Sequence, residues 1–227
     1  MAQSSYSLHS VCVFAGFYLG KNVRFAEVAD KLGTLLATKN INVVYGGGTS
    51  GLMGRVAASA FLGKVKVLGI IPKPLANRPL VGSTIGDELK ISNIQDRIVS
   101  MLHNADAFIA LPGGFDTMEE LFHVITWAQL NIHHKPVGLL NIDGFYDGLL
   151  AFVDSMVETG FISPISRKIL LCANTAEELL SKSAAYEPHP DPFLSHINWT
   201  GASDRRNYSV WFPIKFRRQF SNFPCTL

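Results

Sequence analysis

The chain has 227 residues, and 48% of them are apolar, which is enough for one α/β domain of ordinary size with a large core. Its 20 Lys and Arg residues nearly balance 18 Asp and Glu residues, so overall charge excludes a general polyanion binder. Three widely spaced cysteines form neither a disulfide framework nor a metal cluster, and no secretion signal or long apolar segment is present, so we expect a cytoplasmic protein, with the nucleus as a second location, and no membrane partner.

Short apolar runs alternate with helical patterns along most of the chain. The run at 11–15 predicts a strand, and a stripe of apolar residues at 22–39 predicts a helix after it. Further strands are predicted at 41–45, 65–71, 89–91, 106–111, 136–141 and 168–172, and further helices at 49–62, 94–104, 117–131, 145–159 and 175–181.

This alternation predicts an α/β fold of the Rossmann-like, doubly wound kind, with a mostly parallel sheet flanked by helices. We assign residues 1–9 to an N-terminal extension, 10–185 to the Rossmann-like domain and 186–227 to an irregular C-terminal appendage. The appendage is rich in proline, aromatic and basic residues, and we expect it to be poorly ordered. Its five basic residues are too few to predict nucleic-acid binding.

Three glycine turns follow predicted strands, at 16–20, 46–54 and 113–114. The most informative lies within the segment LPGGFDTMEE at 111–120, where a glycine turn leads into a helix. Such a turn leaves backbone N–H groups unpaired at the positive end of the helix dipole, which suits a phosphate. Glu119 and Glu120 are expected in the first turn of this helix, so phosphate and carboxylates together suggest chemistry on a phosphorylated substrate.

The turn at 46–54, GGGTSGLMG, is a second candidate anion cradle. Its glycines permit positive φ, and Thr49 and Ser50 are suited to capping the next helix. No lysine follows the last glycine, so it is not a Walker loop, and it lacks the spacing of the dinucleotide fingerprint.

Taken together, the segments VCVFAG, VVYGGGTSGLMG, GIIPKPL, DAFIALPGGFDTMEE, ITWAQLNIHHKPVGLLNIDGFYDGLL and GFISP resemble the plant "lonely guy" family of cytokinin-activating phosphoribohydrolases. The family signature is PGGxGTxxE, and the family was long labelled as lysine decarboxylases. The resemblance implies a homodimer that hydrolyses cytokinin riboside 5′-monophosphates to the free cytokinin and ribose 5-phosphate. It implies neither a metal nor a redox cofactor.

The resemblance also implies roles for individual residues. Glu120 is the catalytic carboxylate and Arg97 is the catalytic arginine, because cleavage of an N-glycosidic bond builds positive charge on the ribose C1′ and negative charge on the leaving base. The implied substrate-binding residues lie in the signature turn, on the following helix and in the second glycine turn: Gly113, Gly114, Phe115, Asp116, Thr117, Met118, Glu119, Thr126, Gly47, Gly48, Thr49, Gly51 and Met53.

Simpler interpretations of the same residues stay open. Thr117 to Glu120 satisfies the capping-box pattern Thr-x-x-Glu, in which Glu120 only closes the start of the helix. Arg97 on a lone helix would be a solvated or ion-paired surface residue. The remaining candidates have surface, interface or core roles rather than metal ligation: His123, His133, His134 and Trp127.

The chain departs from the family at four places around the expected site. Asp116 replaces the third glycine of the signature. Its carboxylate would repel a phosphate or occupy the helix N–H groups, and a positive φ at this position would be less favourable for Asp than for Gly. Phe17-Tyr18, Ile98 and Pro79 replace polar or charged residues of the family. These departures leave two other functions open: an inactive binder of nucleotide monophosphates or dimer partner, and a nucleoside 5′-monophosphate hydrolase of broader specificity.

Overall fold

Buried apolar runs and amphipathic segments form an alternating series of strands and helices. The computed structural model describes residues 7–76 and 81–192, together with Leu194, Ile197 and Trp199. The strands are β1 (Ser10–Phe14), β2 (Asn42–Tyr45), β3 (Val67–Pro72), β4 (Asp87–Ile91), β5 (Ala107–Ala110), β6 (Val137–Leu140) and β7 (Leu170–Ala173). The helices are α1 (Val23–Thr38), α2 (Gly51–Leu62), α3 (Ile94–Asn104), α4 (Phe115–Gln129), α5 (Asp147–Glu158), α6 (Pro164–Arg167) and α7 (Ala176–Ala184).

The strands form a seven-stranded parallel sheet in the order β4-β3-β2-β1-β5-β6-β7. Strand β1 is central, and its Val11 pairs with Val43 on one side and with Ala107 on the other. The chain leaves β1 towards β2 and later returns to β5 on its other side. The loops after β1 and β5 therefore flank the point at which ligands bind in open α/β sheets.

Helices cover both faces of the sheet, which confirms the predicted Rossmann-like architecture. One face packs against α1, α2 and α7 through residues such as Leu32, Val56 and Leu179. The other packs against α3 and α4 through residues such as Met101 and Leu121. Every residue of β1, β5 and β6 is buried, as expected for strands covered on both sides.

Every predicted strand and helix is present, but two helix starts that follow glycine turns were predicted wrongly. Helix α2 begins at Gly51 rather than at residue 49, because Ser50 is its N-cap and has an extended backbone, with φ −80° and ψ 150°. Helix α4 begins at Phe115 rather than at residue 117, with Gly114 as its N-cap. The structure also adds α6, in a segment whose sequence predicted no helix.

The first residues after α7 pack back onto the domain. The Ser163 hydroxyl donates to the Asp191 carboxylate over 2.5 Å, and the Trp199 indole N–H donates to the Leu130 carbonyl over 2.7 Å. The domain boundary at residue 185 stays a prediction, and most of the appendage, including all of 200–227, lies outside the described residues. Within the described part of the chain, no helix is long and apolar enough to cross a membrane.

Candidate functional site

The three glycine turns come together at the carboxyl edge of the sheet. The Gly16 N–H donates to the Pro112 carbonyl over 3.0 Å, and the Leu52 N–H donates to the Gly16 carbonyl over 2.9 Å. A Cβ at Gly16 would lie 3.1 Å from Gly113 Cα, and a Cβ at Gly51 would lie 2.3 Å from the Gly16 carbonyl oxygen. Glycine is therefore required here for close backbone contact as much as for its conformational freedom.

Helix α4 begins in this cluster with an open N-terminus. Its N-cap, Gly114, makes no side-chain capping bond, and the first N–H to bond back along the helix is that of Met118, to the Gly114 carbonyl over 3.0 Å. The N–H groups of Phe115, Asp116 and Thr117 precede this bond. Such groups, with the positive end of the helix dipole, form a place where an anion binds.

Thr117 adds a hydroxyl to the same place. Its side chain is fully buried, and its Oγ1 has no hydrogen-bond partner among the residues that the structure describes. A Cβ at Gly113 would lie 2.0 Å from this oxygen, so the hydroxyl is directed at the glycine turn. A buried hydroxyl without a partner is costly, which indicates that a ligand completes its hydrogen bonding.

The predicted catalytic pair lies beside this anion site. Arg97 Nη1 is 2.8 Å from Glu120 Oε1, although the two side chains belong to α3 and α4. The side chains are only 14% and 9% exposed. Among the described residues, Glu120 Oε1 has this ionic contact but no well-aligned hydrogen-bond donor, so it retains a free acceptor position. The interpretation of Arg97 as an ordinary surface residue is therefore wrong.

Two residues that sequence analysis missed hold the Arg97 guanidinium in place. Arg97 Nε donates to the Ile70 carbonyl within β3 over 3.2 Å. The guanidinium also lies over Gly46, where an added Cβ would be 2.2 Å from Nη2. The run of three glycines was a signal for Gly46, but nothing in the sequence marked a carbonyl of β3 as a partner.

The environment of Glu120 suits proton transfer near neutral pH. Burial raises the pKa of Glu120 to about 7, and the positive charge of Arg97 opposes this rise. The negative charges of Asp116 and Glu119 are smaller contributions to the same rise. A carboxyl group with a pKa near the working pH is available both as an acid and as a base.

The capping-box interpretation of Thr117 and Glu120 is wrong. Because Gly114 is the N-cap, Thr117 is the third residue of the helix and Glu120 the sixth. Glu119 and Glu120 therefore lie in the second turn, not in the first turn as the sequence predicted. Glu119 is exposed and pairs with His123 over 3.2 Å, whereas Glu120 is buried against Arg97.

The structure brings some of the predicted binding residues to this site and not others. Gly47 packs against Ile71 and Gly48 packs against Val81, and the Thr49 N–H already donates to the Val81 carbonyl over 3.0 Å. Ser50 is the N-cap of α2, yet neither it nor Thr49 provides the predicted side-chain cap. Gly51 packs against the glycine turn at 16–20, and Met53 is part-buried against the core.

Met118 and Thr126 lie apart from the anion site, and Phe115 contributes its N–H group rather than its side chain. Met118 is packed against the core, and Phe115 is 96% exposed. Thr126 follows Thr117 by nine residues, about two and a half helical turns, so the two side chains lie on opposite faces of α4. Within one chain, the exposed Thr126 therefore does not contact the ligand that Thr117 would bind.

Asp116 avoids two of the three costs that its sequence position predicts. Its φ is not positive, and no hydrogen bond joins its carboxylate to the helix N–H groups within the described ranges. The carboxylate is exposed, and its Oδ1 is 3.3 Å from the position of a Cβ at Gly114. Charge repulsion of a phosphate is the cost that remains.

The other three departures from the family differ in their relation to the site. Tyr18 is 80% exposed, and Phe17 packs against it edge to face. Ile98 is 3% exposed and belongs to the core, so it is not a lost polar contact as the sequence predicted. Pro79 lies outside the described residues.

The sequence of this chain matches a known family. The family profile described as "Possible lysine decarboxylase" matches residues 53–183. A "Probable cytokinin riboside 5′-monophosphate phosphoribohydrolase" of Oryza sativa subsp. japonica is 48% identical over 188 residues, covering 83% of this chain and 89% of the rice protein. A cytokinin riboside 5′-monophosphate phosphoribohydrolase of Arabidopsis thaliana is 46% identical over 208 residues, covering 92% and 95%.

Solved structures share the fold at lower identity. The molybdenum cofactor binding protein of Rippkaea orientalis is 22% identical, with a TM-score of 0.57, covering 78% of this chain and 96% of that protein. The molybdenum cofactor carrier protein of Chlamydomonas reinhardtii is 17% identical, with a TM-score of 0.53, covering 76% and 98%. The sequence relatives decide the family: the chain belongs to the "lonely guy" family, whose members carry the name cytokinin riboside 5′-monophosphate phosphoribohydrolase.

Proposed function

We propose that this protein hydrolyses the N-glycosidic bond of cytokinin riboside 5′-monophosphates. Water adds across the bond, so that its oxygen joins the ribose C1′ and a proton joins the leaving base. The products are the free cytokinin and ribose 5-phosphate. The observation that carries the proposal is the buried Arg97–Glu120 pair beside the open N-terminus of α4. The relatives' names support the same reaction and substrate class.

The anion site positions the substrate. The phosphate accepts hydrogen bonds from the free N–H groups at the start of α4 and from the buried Thr117 hydroxyl. Glu120 lies one helical turn further along the same helix, so a phosphate anchored at the start places the ribose over the carboxylate. Holding the phosphate and the ribose in the reactive geometry accounts for a large part of the rate acceleration by such enzymes.

Glu120 and Arg97 divide the charges of the transition state between them. The ionised Glu120 carboxylate stabilises the positive charge that develops at C1′ and accepts a proton from the attacking water. The Arg97 guanidinium stabilises negative charge on the departing base and keeps Glu120 oriented. The pKa of about 7 for Glu120 lets this carboxyl group exchange its proton at neutral pH.

Release of the free base from isopentenyladenosine 5′-monophosphate tests the proposal. We expect wild-type protein to release isopentenyladenine and ribose 5-phosphate in equal amounts. Glu120→Gln serves as the inactive comparison, because it keeps the size of the side chain but removes its charge. Release at the same rate by both proteins, or by neither, would contradict the proposal.

A non-catalytic nucleotide binder is the second candidate, because burial, together with the negative charge of Asp116, raises the pKa of Glu120 and so favours a protonated carboxyl group that cannot accept a proton from water. Calorimetry with AMP beside the release assay separates the two functions, since binding without release indicates a binder. Comparing the hydrolysis of AMP with that of the prenylated substrate separates both from a broader nucleoside 5′-monophosphate hydrolase.

We also propose a homodimer in the cytoplasm and the nucleus. The exposed face of α4 supports the dimer, because Phe122 is 36% exposed there and Thr126 is exposed one turn later. In a dimer, Thr126 would be available to the partner's site rather than to its own. Light scattering of the purified protein tests the dimer, and imaging of a fluorescent fusion tests the location.

A further inference from the structure

Asp116 places a negative charge at a site otherwise built for an anion. It is the second residue of α4, and its exposed carboxylate lies back over the N-cap, with Oδ1 3.3 Å from the position of a Cβ at Gly114. Side chains in the first turn of a helix lean towards its N-terminus. The carboxylate therefore stands on the same side as the free N–H groups that would bind a phosphate.

An independent observation shows that this helix start is built to hold a ligand. The Thr117 Oγ1 is fully buried, is directed at Gly113 and has no hydrogen-bond partner in the described part of the chain. A hydroxyl is both donor and acceptor, so it can bond a phosphate oxygen or a ribose hydroxyl equally well. The side chain that distinguishes these two groups is that of Asp116.

We propose, on the basis of the function proposed above, that Asp116 lowers the selectivity of this site for a 5′-phosphate over a free 5′-hydroxyl, so that unphosphorylated ribosides are a second substrate class. An ionised carboxylate only accepts hydrogen bonds. It accepts one from a 5′-hydroxyl, whereas a phosphate dianion offers no hydrogen and carries two like charges. Water then cleaves the same bond from C1′ to the base, and the products are the free base and ribose.

The comparison of two substrates isolates this effect from the catalytic group. Asp116 also raises the pKa of Glu120, so its replacement changes the chemistry of both substrates. The ratio of their kcat/KM values cancels that shared change. The ratio therefore reports only how the site discriminates between the two groups at the ribose 5′ position.

The experiment measures kcat/KM of the full chain for isopentenyladenosine 5′-monophosphate and for isopentenyladenosine at one pH. We expect Asp116→Asn and Asp116→Ser each to raise the phosphate-to-hydroxyl ratio about tenfold, because a phosphate dianion a few ångströms from an exposed carboxylate is repelled through solvent. The matched control is Glu177→Gln, an exposed carboxylate at the second position of α7. Glu177→Gln removes the same charge from the same position of another helix, so we expect it to leave the phosphate-to-hydroxyl ratio unchanged.

A binding measurement keeps this inference separate from the proposed function. Calorimetry with AMP and with adenosine gives the same phosphate-to-hydroxyl ratio as affinities, without turnover. If no variant hydrolyses either substrate but Asp116→Asn still raises the affinity ratio, the proposed reaction fails and the role of Asp116 stands. An unchanged ratio in both Asp116 variants, in binding and in turnover, overturns the inference, as does an equal change in Glu177→Gln.

Discussion

Helices α4 and α7 contain the same four-residue pattern, Thr-x-x-Glu, and use it in opposite ways. In α7, Thr175 is the N-cap, and its hydroxyl accepts from the Glu178 N–H over 3.3 Å. In α4, Gly114 is the N-cap, so Thr117 and Glu120 fall inside the helix and are buried. The pattern alone does not decide between a cap and a site, because the preceding glycine sets where the helix begins.

Further polar groups of α7 bond within their own helix, whereas Thr117 and Glu120 of α4 do not. In α7, the Ser181 hydroxyl donates to the Glu177 carbonyl over 2.9 Å, and Lys182 pairs with Glu178 over 2.7 Å. These groups therefore form their hydrogen bond and ion pair within α7. In α4, Glu120 pairs with Arg97 on another helix and Thr117 has no partner in the residues described. Polar groups that a helix leaves unsatisfied are the ones available to a substrate.

The largest difference between the two patterns is expected in catalysis. Glu120→Gln removes the charge that stabilises the transition state, so we expect kcat to fall about a thousandfold. Glu178→Gln, at the equivalent position of the pattern in α7, leaves kcat unchanged because its carboxylate faces solvent and Lys182. Steady-state release of isopentenyladenine measures both. A loss of less than about tenfold in Glu120→Gln would show that another group carries the chemistry.

The raised pKa of Glu120 also makes the stability of the protein depend on pH. The pKa of Glu120 is about 7 in the folded protein and lies near 4.5 when unperturbed. The folded state therefore holds a proton that the unfolded state loses, and stability falls as pH rises from about 4.5 through 7. Over this pH range, Glu120 alone lowers the free energy of unfolding by at most ~3 kcal/mol.

We expect urea denaturation to show the effect as a difference between proteins. Relative to Glu120→Gln, the free energy of unfolding of wild-type protein falls between about pH 5 and pH 8. The low folded-state pKa of His133, about 4, contributes equally to both proteins and cancels. Parallel pH profiles for the two proteins would mean that Glu120 is ionised in the folded state throughout.

The packing contact that positions the Arg97 guanidinium can be disturbed without replacing a catalytic residue. In Gly46→Ala, the new Cβ would lie 2.2 Å from Arg97 Nη2, so the guanidinium must move away from Glu120. A displacement of about 1 Å at a reacting group costs about a hundredfold in kcat/KM. Gly148→Ala is the matched control, because a Cβ there meets nothing within 4 Å. Equal activity in both variants would show that the contact with Gly46 does not position Arg97.

The sequence predicts the fold well because its main signals are local. Runs such as 11–15 and 106–111 are apolar on both sides of each strand, and this pattern directly reflects a sheet that is covered on both faces. Helix α3 was predicted with its observed bounds, and in the structure Asn93 caps its start, with its side chain accepting from the Asp96 N–H over 2.8 Å. The helix starts after the glycine turns were missed, since sequence does not show which residue of such a turn becomes the N-cap, here Ser50 for α2 and Gly114 for α4.

The site was predicted less completely because it depends on contacts far apart in the chain. Arg97 and Glu120 were named through the family resemblance, but their ion pair arises only when α3 and α4 pack on the same face of the sheet. The nine-residue spacing within the predicted helix at 117–131 already places Thr126 opposite Thr117. The burial of Ile98 could have been read from its spacing to Met101 and Leu102, the apolar side of α3.

The smallest and most direct test removes the threonine hydroxyl from each pattern. Thr175→Val deletes the cap of α7, so we expect a loss of about 1 kcal/mol in the free energy of unfolding and no change in KM. Thr117→Val replaces a buried hydroxyl that has no partner in the described structure, so stability is retained or rises, while KM for the 5′-monophosphate increases about tenfold. Thermal denaturation and steady-state kinetics on both variants give the four values. If Thr117→Val loses stability and keeps its KM, the two patterns are both caps, and the start of α4 is not the place where the phosphate binds.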